Sequence, residues 1–238
     1  VANQTLEDFA LRFTALKARK WSVFRVANTA LGAISFLALE AIGGAITLSY
    51  GFENAVAAIL TVSVLIFLTG TPITYFAARY GVDIDLLSRG ASFGYLGSTI
   101  TSLIYASFTF IFFAIEAAIM AAALELFLDV PLPLGYLISA VVVIPLVTHG
   151  ITFISSFQLW TQPLWIGLHL LPFLFIAFNR DNLFEQWGSF AGIGGDENGR
   201  FNLLMFGAAS SVVFALMAQI GEQVDFLRFL PKKYTTML

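Results

Sequence analysis

Long apolar runs separated by short polar segments organise the whole chain. Six of these runs are long enough to cross a lipid bilayer as helices, which takes roughly 20 residues. The predicted membrane spans are Val26–Tyr50, Ala55–Ala78, Ser102–Leu128, Leu134–Phe153, Leu159–Phe178 and Leu203–Val224. The pattern therefore predicts an all-α integral membrane protein with six transmembrane helices. The runs are too long and too numerous for any of them to be a cleavable signal peptide.

The composition agrees with a chain whose solvent is mostly lipid. Of the 238 residues, 58% are hydrophobic and 11% are charged, whereas a soluble domain carries about 25% charged residues. The mean hydropathy is +0.85. The small net charge of −3 indicates no nucleic-acid partner. Because the chain has no cysteine, cysteine usage gives no information on the redox compartment or on thiolate-bound metals.

The basic residues fall mainly on one side of the predicted membrane. With the N-terminus inside, ten of the twelve basic residues lie in cytoplasmic segments, and the two exceptions are Arg180 and Arg200. This bias predicts an even number of spans with both ends cytoplasmic, in the cell inner or plasma membrane. We divide the chain into a cytoplasmic amphipathic N-terminal segment (1–25), a transmembrane domain (26–228) and a cytoplasmic segment (229–238).

The sequence also allows predictions about the two ends of the chain. Phe9, Phe13 and Leu16 share one helical face near the N-terminus. This predicts either an interfacial helix on the cytoplasmic leaflet or an ordinary polar lead-in. The sequence begins at Val1 and stops at Leu238 without an obvious closing segment. We therefore expect a fragment of a longer polypeptide, whose remaining helices are partners of this segment.

Three carboxylates lie well inside the predicted spans: Glu40, Glu116 and Glu222. An acidic side chain at mid-membrane costs about 2.5–3.5 kcal/mol on insertion scales, so such residues usually face a cavity, a partner or a substrate. For any one of them, the alternative is a structural glutamate that is bonded to a neighbouring helix. For all three together, a functional site is the better interpretation.

Glycines beside two of these carboxylates predict broken helices in the first and sixth spans. Gly43 and Gly44 follow Glu40, and Gly221 precedes Glu222. Glycine weakens a helix by roughly 1 kcal/mol relative to alanine. Unwound backbone at membrane depth is tolerated where it lines a wet cavity or is buried in protein. Secondary transporters with inverted repeats use such broken helices at the substrate site. The spacing predicts one five-helix repeat followed by the first helix of a second, inverted repeat.

The third span combines aromatic rings with a carboxylate. Phe112 and Glu116 are four residues apart and share a helical face, which Phe108 and Met120 extend. Such a face suits a flat, nitrogen-rich ring, because the ring stacks on the aromatic side chain while its N–H groups donate to the carboxylate. An aromatic packing stripe is the alternative interpretation.

The sequence offers little for other kinds of chemistry. His149 and His169 have no carboxylate or second histidine at metal-ligand spacing, so each is interpreted as a structural histidine. No hydrolase motif is present in the sequence. We predict that the protein is not an enzyme, and that it uses no metal and no cofactor other than a coupling Na⁺ or H⁺.

Four segments match the pattern of one known family. ARYGVDIDLLSRGASFGYLGS, after the second span, is similar to its Gly-Val, then Ser-Arg-Ala-Ser-Phe-Gly-x-x-Gly-Ser signature, with Gly90 as an extra residue. FFAIE in the third span falls where that family often has Trp-Phe-Gly-Ile-Gln. HGITFISSFQLWTQPLW resembles its entry into the fifth span, and VDFLRFLP its Asp-Phe-Ser-Arg-Phe. Together they resemble the nucleobase–cation symporters, the permeases for cytosine, purines, allantoin and hydantoins, over about residues 25–231.

The resemblance implies roles for particular residues. The family's stacking Trp falls on Phe112, and its substrate-binding Gln falls on Glu116; both are departures from the family's residue types. The backbone carbonyls around Ala38 and Leu39 are implied to lie near a cation. The substrate-binding residues that the resemblance implies are Glu40, Phe112, Glu116, Phe214, Gln219 and Glu222.

The leading functional hypothesis is a cation- or proton-coupled symporter for a nucleobase-like compound, of which this chain is the N-terminal half. Members of the family are about twice this length and have cation ligands in an eighth helix that this chain lacks. The alternative is a transporter-like membrane input domain of a signalling protein. A structural membrane subunit without a ligand ranks last, because it leaves three intramembrane glutamates unexplained.

Overall fold

The computed structural model describes residues 13–179, 182–193 and 200–234. The regular elements in these ranges are helical. The α-helices are α1 (Val23–Ile34), α2 (Leu37–Tyr50), α3 (Phe52–Tyr80), α4 (Ile84–Ser88), α5 (Gly94–Leu128), α6 (Leu132–Thr148), α7 (Gly150–Asn179), α8 (Leu183–Gly188), α9 (Leu203–Phe214) and α10 (Ile220–Leu227). A kinked segment, Arg89–Phe93, precedes α5, and 3₁₀ segments lie at Ala215–Gln219 and Lys232–Tyr234.

Four helical stretches of the described chain are long and apolar enough to cross a membrane. They are Phe52–Tyr80, Ile84–Leu128, Gly150–Asn179 and Leu203–Leu227. The bent pair of α1 and α2 makes a fifth if the two helices form one span. The predicted fourth span corresponds to α6, an apolar helix whose 17 residues fall short of the roughly 20 that a crossing takes. The described residues thus support four or five of the six predicted spans.

The first span is interrupted at Ser35 and Phe36, before the position that the glycines suggested. The Ser35 hydroxyl donates to the Leu31 carbonyl, and the Ser35 N–H donates to the Gly32 carbonyl, which closes α1. Gly43 and Gly44 lie inside the continuous helix α2. The expectation of a break at these glycines was therefore wrong. The modest helix penalty of glycine does not outweigh the cost of leaving backbone groups unsatisfied in a membrane.

The sixth span changes its helical type in the middle. The 3₁₀ segment Ala215–Gln219 separates α9 from α10, and Gly221 lies inside α10 rather than at the change. A Cβ added at Gly221 would stand 3.0 Å from the ring of Tyr105. Gly221 therefore serves a close approach between α10 and α5, and it does not mark an unwound segment.

The chain divides into two compact units. The first comprises residues 1–38, 74–162 and 221–238, and the second comprises 39–73 and 163–220. The core of the first unit is formed by Trp21, Val26, Ala78, Phe226, Phe229 and Leu230. The core of the second unit is formed by Ile46, Ala55, Val62 and Val213.

The N-terminal segment of the first unit is tied down by a buried arginine. Arg19 is 5% exposed, and its guanidinium donates to the carbonyls of Leu230, at 2.9 Å from Nε, and of Ala78. Burial lowers the pKa of this guanidinium, which nevertheless stays charged because arginine titrates far above neutral pH. Trp21 stacks on Phe229 with ring centroids 4.8 Å apart. The side chain of Arg19 thus connects the N-terminal segment with the end of α3 and with the segment after α10.

This arrangement bears on the predicted interfacial helix. Residues 13–22 are not helical and contain a turn at 16–18, so the helical interpretation was wrong for this part. Phe13 and Leu16 are 67% and 74% exposed. Phe9 lies outside the described residues. The contacts of Arg19 and Trp21 hold this segment in a non-helical course, and they override the local amphipathic pattern.

Two segments that resembled the family motifs contact each other in the first unit. Asp83 accepts a hydrogen bond of 2.7 Å from the N–H of Leu86 and so caps α4. Arg228, in the segment VDFLRFLP, lies 3.6 Å from the Asp83 carboxylate, and both side chains are largely buried. Gly90, the residue that is extra to the motif, falls in the kinked segment that precedes α5. Inside this segment Ser92 has a φ of 80°, so the extra residue lies where the helical path of the backbone is interrupted.

Candidate functional site

Glu116 on α5 reaches the interruption in the first span. Its Oε1 accepts a hydrogen bond of 2.7 Å from the backbone N–H of Ala38, in the first turn of α2. The first N–H groups of a helix have no partner within the helix, and the helix N-terminus attracts negative charge. Glu116 therefore supplies from a neighbouring helix the cap that α2 lacks. A carboxylate oxygen has two acceptor positions, so the side chain retains capacity for further donors.

The predicted stacking residue Phe112 lies beside the same interruption. Its ring meets Phe36 edge to face, with centroids 5.4 Å apart, and Phe108 at 4.5 Å. Phe36 is one of the two non-helical residues between α1 and α2. An aromatic cluster and a carboxylate thus converge on one backbone break. This arrangement can bind a flat ring by stacking and by accepting its N–H groups.

Polar side chains of α7 approach the break from another direction. Gln162, which is buried, donates a hydrogen bond of 2.8 Å from Nε2 to the Ser35 hydroxyl. Gln158 lies over Gly32, where an added Cβ would stand 2.6 Å from its Cδ. The Oε1 of Gln158 is buried without a hydrogen-bond partner among the described residues. Sequence reasoning missed Ser35, Gln158 and Gln162, because amides and hydroxyls in a helix give no signal comparable to a carboxylate.

The remaining predicted residues occupy different surroundings. Glu40 belongs to the second unit, where its Oε1 lies 3.1 Å from Nδ1 of His169. Phe214 ends α9, and Gln219 ends the 3₁₀ segment that follows. Glu222, in the first unit, follows Gly221, which lies against the ring of Tyr105. Of the predicted set, the structure brings Phe112 and Glu116 together with Ala38.

The backbone carbonyls that the resemblance implied as cation ligands lie within a regular helix. Ala38 and Leu39 are in the first turn of α2, where carbonyls accept hydrogen bonds from residues four positions later. The non-helical residues of the break are Ser35 and Phe36. The role of Ala38 and Leu39 in holding a cation stays a prediction.

An apolar cavity of about 490 Å³ lies elsewhere in the first unit. It is lined by Phe13, Phe76, Tyr80, Val82, Leu86, Leu87, Arg89, Gly90 and Ala91. This lining contains no residue of the predicted substrate site and few side chains that can form hydrogen bonds. The break in the first span carries the polar groups that specific recognition needs.

The helices and this polar break define a multi-pass helical membrane protein. The sequence model of the family described as permease for cytosine/purines, uracil, thiamine and allantoin matches residues 14–236. The chain belongs to this permease family. Neither the search of curated proteins nor the search of solved structures returned a match. Membership in a permease family indicates a transporter rather than an enzyme.

Proposed function

We propose that the protein is part of a secondary active transporter for a nitrogen-rich ring compound of the nucleobase type, coupled to a cation or a proton. The observation that carries the proposal is the hydrogen bond from the Ala38 N–H to Glu116, beside the ring of Phe112. It puts a charged acceptor and an aromatic surface at an interrupted membrane helix in a chain of the permease family. Interrupted helices carry the substrate sites of many secondary transporters.

The finer organisation belongs to the same proposal. The chain would hold six spans that form one five-helix repeat and the first helix of an inverted second repeat, with both ends cytoplasmic in the inner or plasma membrane. Residues 1–25 and 229–238 would flank the transmembrane domain 26–228. Glu116 and Glu222 would contact the substrate or the coupling proton. The other substrate-contacting residues would be Glu40, Phe112, Phe214 and Gln219, with the carbonyls of Ala38 and Leu39 near the cation.

The proposal is tested by ligand-induced thermal shift on the full-length polypeptide. The panel follows the family description and the predicted ring chemistry: cytosine, purines, uracil, thiamine, allantoin and hydantoins. Glu116→Gln keeps an acceptor oxygen for the Ala38 N–H and removes the charge, so the fold is retained while recognition of ligand donors changes. We expect a shift in the unmodified protein that is lost in Glu116→Gln.

A matched control lies two turns further along the same helix. Glu125 is exposed on α5, and Glu125→Gln should leave the ligand shift intact. A ligand shift that is unchanged in Glu116→Gln would remove Glu116 from the site. The absence of a shift with every compound of the panel, together with absent uptake in cells, would contradict the proposed function. Neither the family match nor the geometry favours the signalling alternative.

A further inference from the structure

An intramembrane carboxylate–imidazole pair connects α2 and α7 in the second unit. Nδ1 of His169 lies 3.1 Å from Oε1 of Glu40, and about a third of each side chain is exposed. His169 lies in the interior of α7, and Glu40 lies in the first turn of α2, just after the interruption in the first span. Ionisable side chains at such depth are costly, and in pumps and transporters they form proton relays. The pairing gives His169 a role that its isolated position in the sequence did not indicate.

The imidazole is held in place by aromatic rings of its own helix. Trp165 stacks on His169 with centroids 4.7 Å apart and an interplanar angle of 19°, and the ring of Phe173 lies at 5.9 Å, tilted by 45°. A π face stabilises a neighbouring positive charge, so this stack suits an imidazolium as well as a neutral ring. The stack fixes the ring plane and leaves Nδ1 directed to Glu40.

Glu40 is the charged group that faces this imidazole in the second unit. The other described titratable residues of the unit lie at helix ends, in the short helix α8 or in a connecting segment; they are Tyr50, Glu53, Glu185 and Arg200. None of them makes an ion pair with either member among the described residues. Protonation of the pair therefore depends on Glu40 and His169 and on no other described charged group of the unit.

The pair is not sealed inside packed side chains. Gly43 and Gly44 lie three and four residues after Glu40, on the same helical face. A Cβ at either glycine, or at Gly167 on α7, would meet no neighbouring atom within 4 Å. The space beside these glycines is thus not filled by neighbouring side chains.

The chemistry of the pair favours a proton over a metal cation. Imidazole is the side chain whose charge changes most readily near neutral pH. Hard cations are bound by several oxygen ligands rather than by imidazole nitrogen. We propose that the Glu40–His169 pair binds the coupling proton, so that this transporter is driven by H⁺ rather than Na⁺. The inference rests on the proposed function and narrows it: Glu40 serves the coupling proton together with His169 instead of contacting the substrate, and Glu116 serves the substrate.

The proton balance is simple. One proton joins the Glu40–His169 pair on the side of the membrane where substrate loads, and it converts a neutral imidazole hydrogen-bonded to a carboxylate into an imidazolium–carboxylate pair. The same proton leaves the pair on the other side when the substrate is released. No covalent bond to the substrate forms or breaks, and one positive charge crosses with each substrate molecule, in addition to any charge on the substrate itself.

Substitutions of His169 separate this role from a structural one. His169→Gln keeps a hydrogen-bond donor for Glu40 and loses the titrating group. His169→Arg keeps a positive charge opposite Glu40, but arginine does not release its proton at physiological pH. A merely structural pair would be restored by arginine, whereas a proton site would not. His149→Gln is the matched control, since His149 caps the end of α6 and contacts neither partner.

The experiment uses the full-length polypeptide in proteoliposomes that contain a pH-sensitive dye. Radiolabelled cytosine, uracil, hypoxanthine, thiamine and allantoin are first tested for counterflow, which requires substrate binding but no ion gradient. Any compound that exchanges is then added outside without a gradient, and acidification of the lumen is recorded in the presence and absence of Na⁺. Monodispersity of each variant in detergent is checked before reconstitution.

We expect substrate-induced acidification in the unmodified protein and in His149→Gln, independent of Na⁺, and its loss in both His169→Gln and His169→Arg. Counterflow without acidification, with accumulation that follows a Na⁺ gradient, would overturn the proton assignment and leave the transporter intact. Acidification that persists in His169→Gln or His169→Arg would also overturn it. If no compound shows counterflow, the proposed function itself fails, and the assignment fails with it.

Discussion

Glu116 and Ala38 are joined by a hydrogen bond of 2.7 Å between the carboxylate Oε1 and the backbone N–H. The two residues are 78 positions apart in the chain, and their contact connects the apolar helix α5 to the first turn of α2. It explains how a carboxylate is tolerated in an apolar span, because a helix N-terminus offers unsatisfied donors and a partial positive charge. The same contact makes Glu116 a stability determinant, whatever ligand it binds.

Replacing Glu116 by leucine should destabilise the fold, whereas Glu116→Gln should have a small effect. Leucine leaves the Ala38 N–H without its acceptor, which costs about 1–3 kcal/mol for a buried group. The amide oxygen of glutamine still accepts, and only the charge is lost. Thermal unfolding in detergent measures the difference, with the exposed Glu125→Leu as the control. Equal unfolding temperatures for Glu116→Leu and Glu116→Gln would show that the cap contributes nothing.

Arg19 should be irreplaceable by lysine. Its planar guanidinium donates to two carbonyls, of Leu230 and Ala78, that belong to different segments. A lysine ammonium is a compact group and does not form the same fork. Losing hydrogen bonds to a charged donor costs about 1.5–3 kcal/mol each, so Arg19→Lys and Arg19→Met should both unfold at clearly lower temperature. The neighbouring Lys20, which is exposed, supplies the control Lys20→Met, and a stable Arg19→Lys protein would refute the reasoning.

Asp83 and Arg228 should show strong energetic coupling. Their charged groups are 3.6 Å apart and the side chains are 7% and 13% exposed, so solvent screens the pair less than a surface ion pair. Asparagine keeps the capping oxygen for Leu86, so Asp83→Asn tests the charge alone. In a double-mutant cycle with Arg228→Gln, we expect an interaction of about 1–3 kcal/mol. Additive effects of the two substitutions would mean that the ion pair does not stabilise the fold.

Gly135 should tolerate no side chain. A Cβ at this position would stand 3.0 Å from both Cα and Cβ of Ala121 on α5, and a backbone atom is unable to rotate away. Gly135→Ala should therefore push α6 from α5 and cost about 1–3 kcal/mol, as overpacking does. Gly207→Ala, on α9, is the matched control because its Cβ would meet nothing within 4 Å. There the added methyl group should be neutral or slightly stabilising.

Sequence reasoning singled out Glu116 and Phe112, but it misplaced the helix break beside which they lie. Glu116 and Phe112 stood out because polar and aromatic side chains at helical spacing are visible in a one-dimensional pattern. The break in the first span was assigned to Gly43 and Gly44, but it lies at Ser35 and Phe36. A helix inside a membrane keeps its hydrogen bonds through a glycine, and it ends where another group, here a serine hydroxyl and a distant carboxylate, satisfies the freed backbone.

His169 shows the same limit from the other direction. The sequence contains no ligand or carboxylate near it at a recognisable spacing, so a structural role was the reasonable prediction. Its partner Glu40 lies on a different helix, and no local pattern reports which helices become neighbours. The N-terminal segment is a third case, because its amphipathic pattern predicted a helix while Arg19 and Trp21 draw residues 13–22 into a non-helical course.

The sequence by itself determined the membrane environment, the helical class, most of the spans and the family resemblance. These follow from the order and hydrophobicity of neighbouring residues, since any apolar run of sufficient length is stable as a helix in a lipid bilayer. The tertiary structure alone decided that Glu116 caps α2, that Gln162 reaches Ser35 and that Glu40 pairs with His169. Such contacts depend on which helix faces pack together, and the need to satisfy each buried polar group is met by residues far apart in the chain.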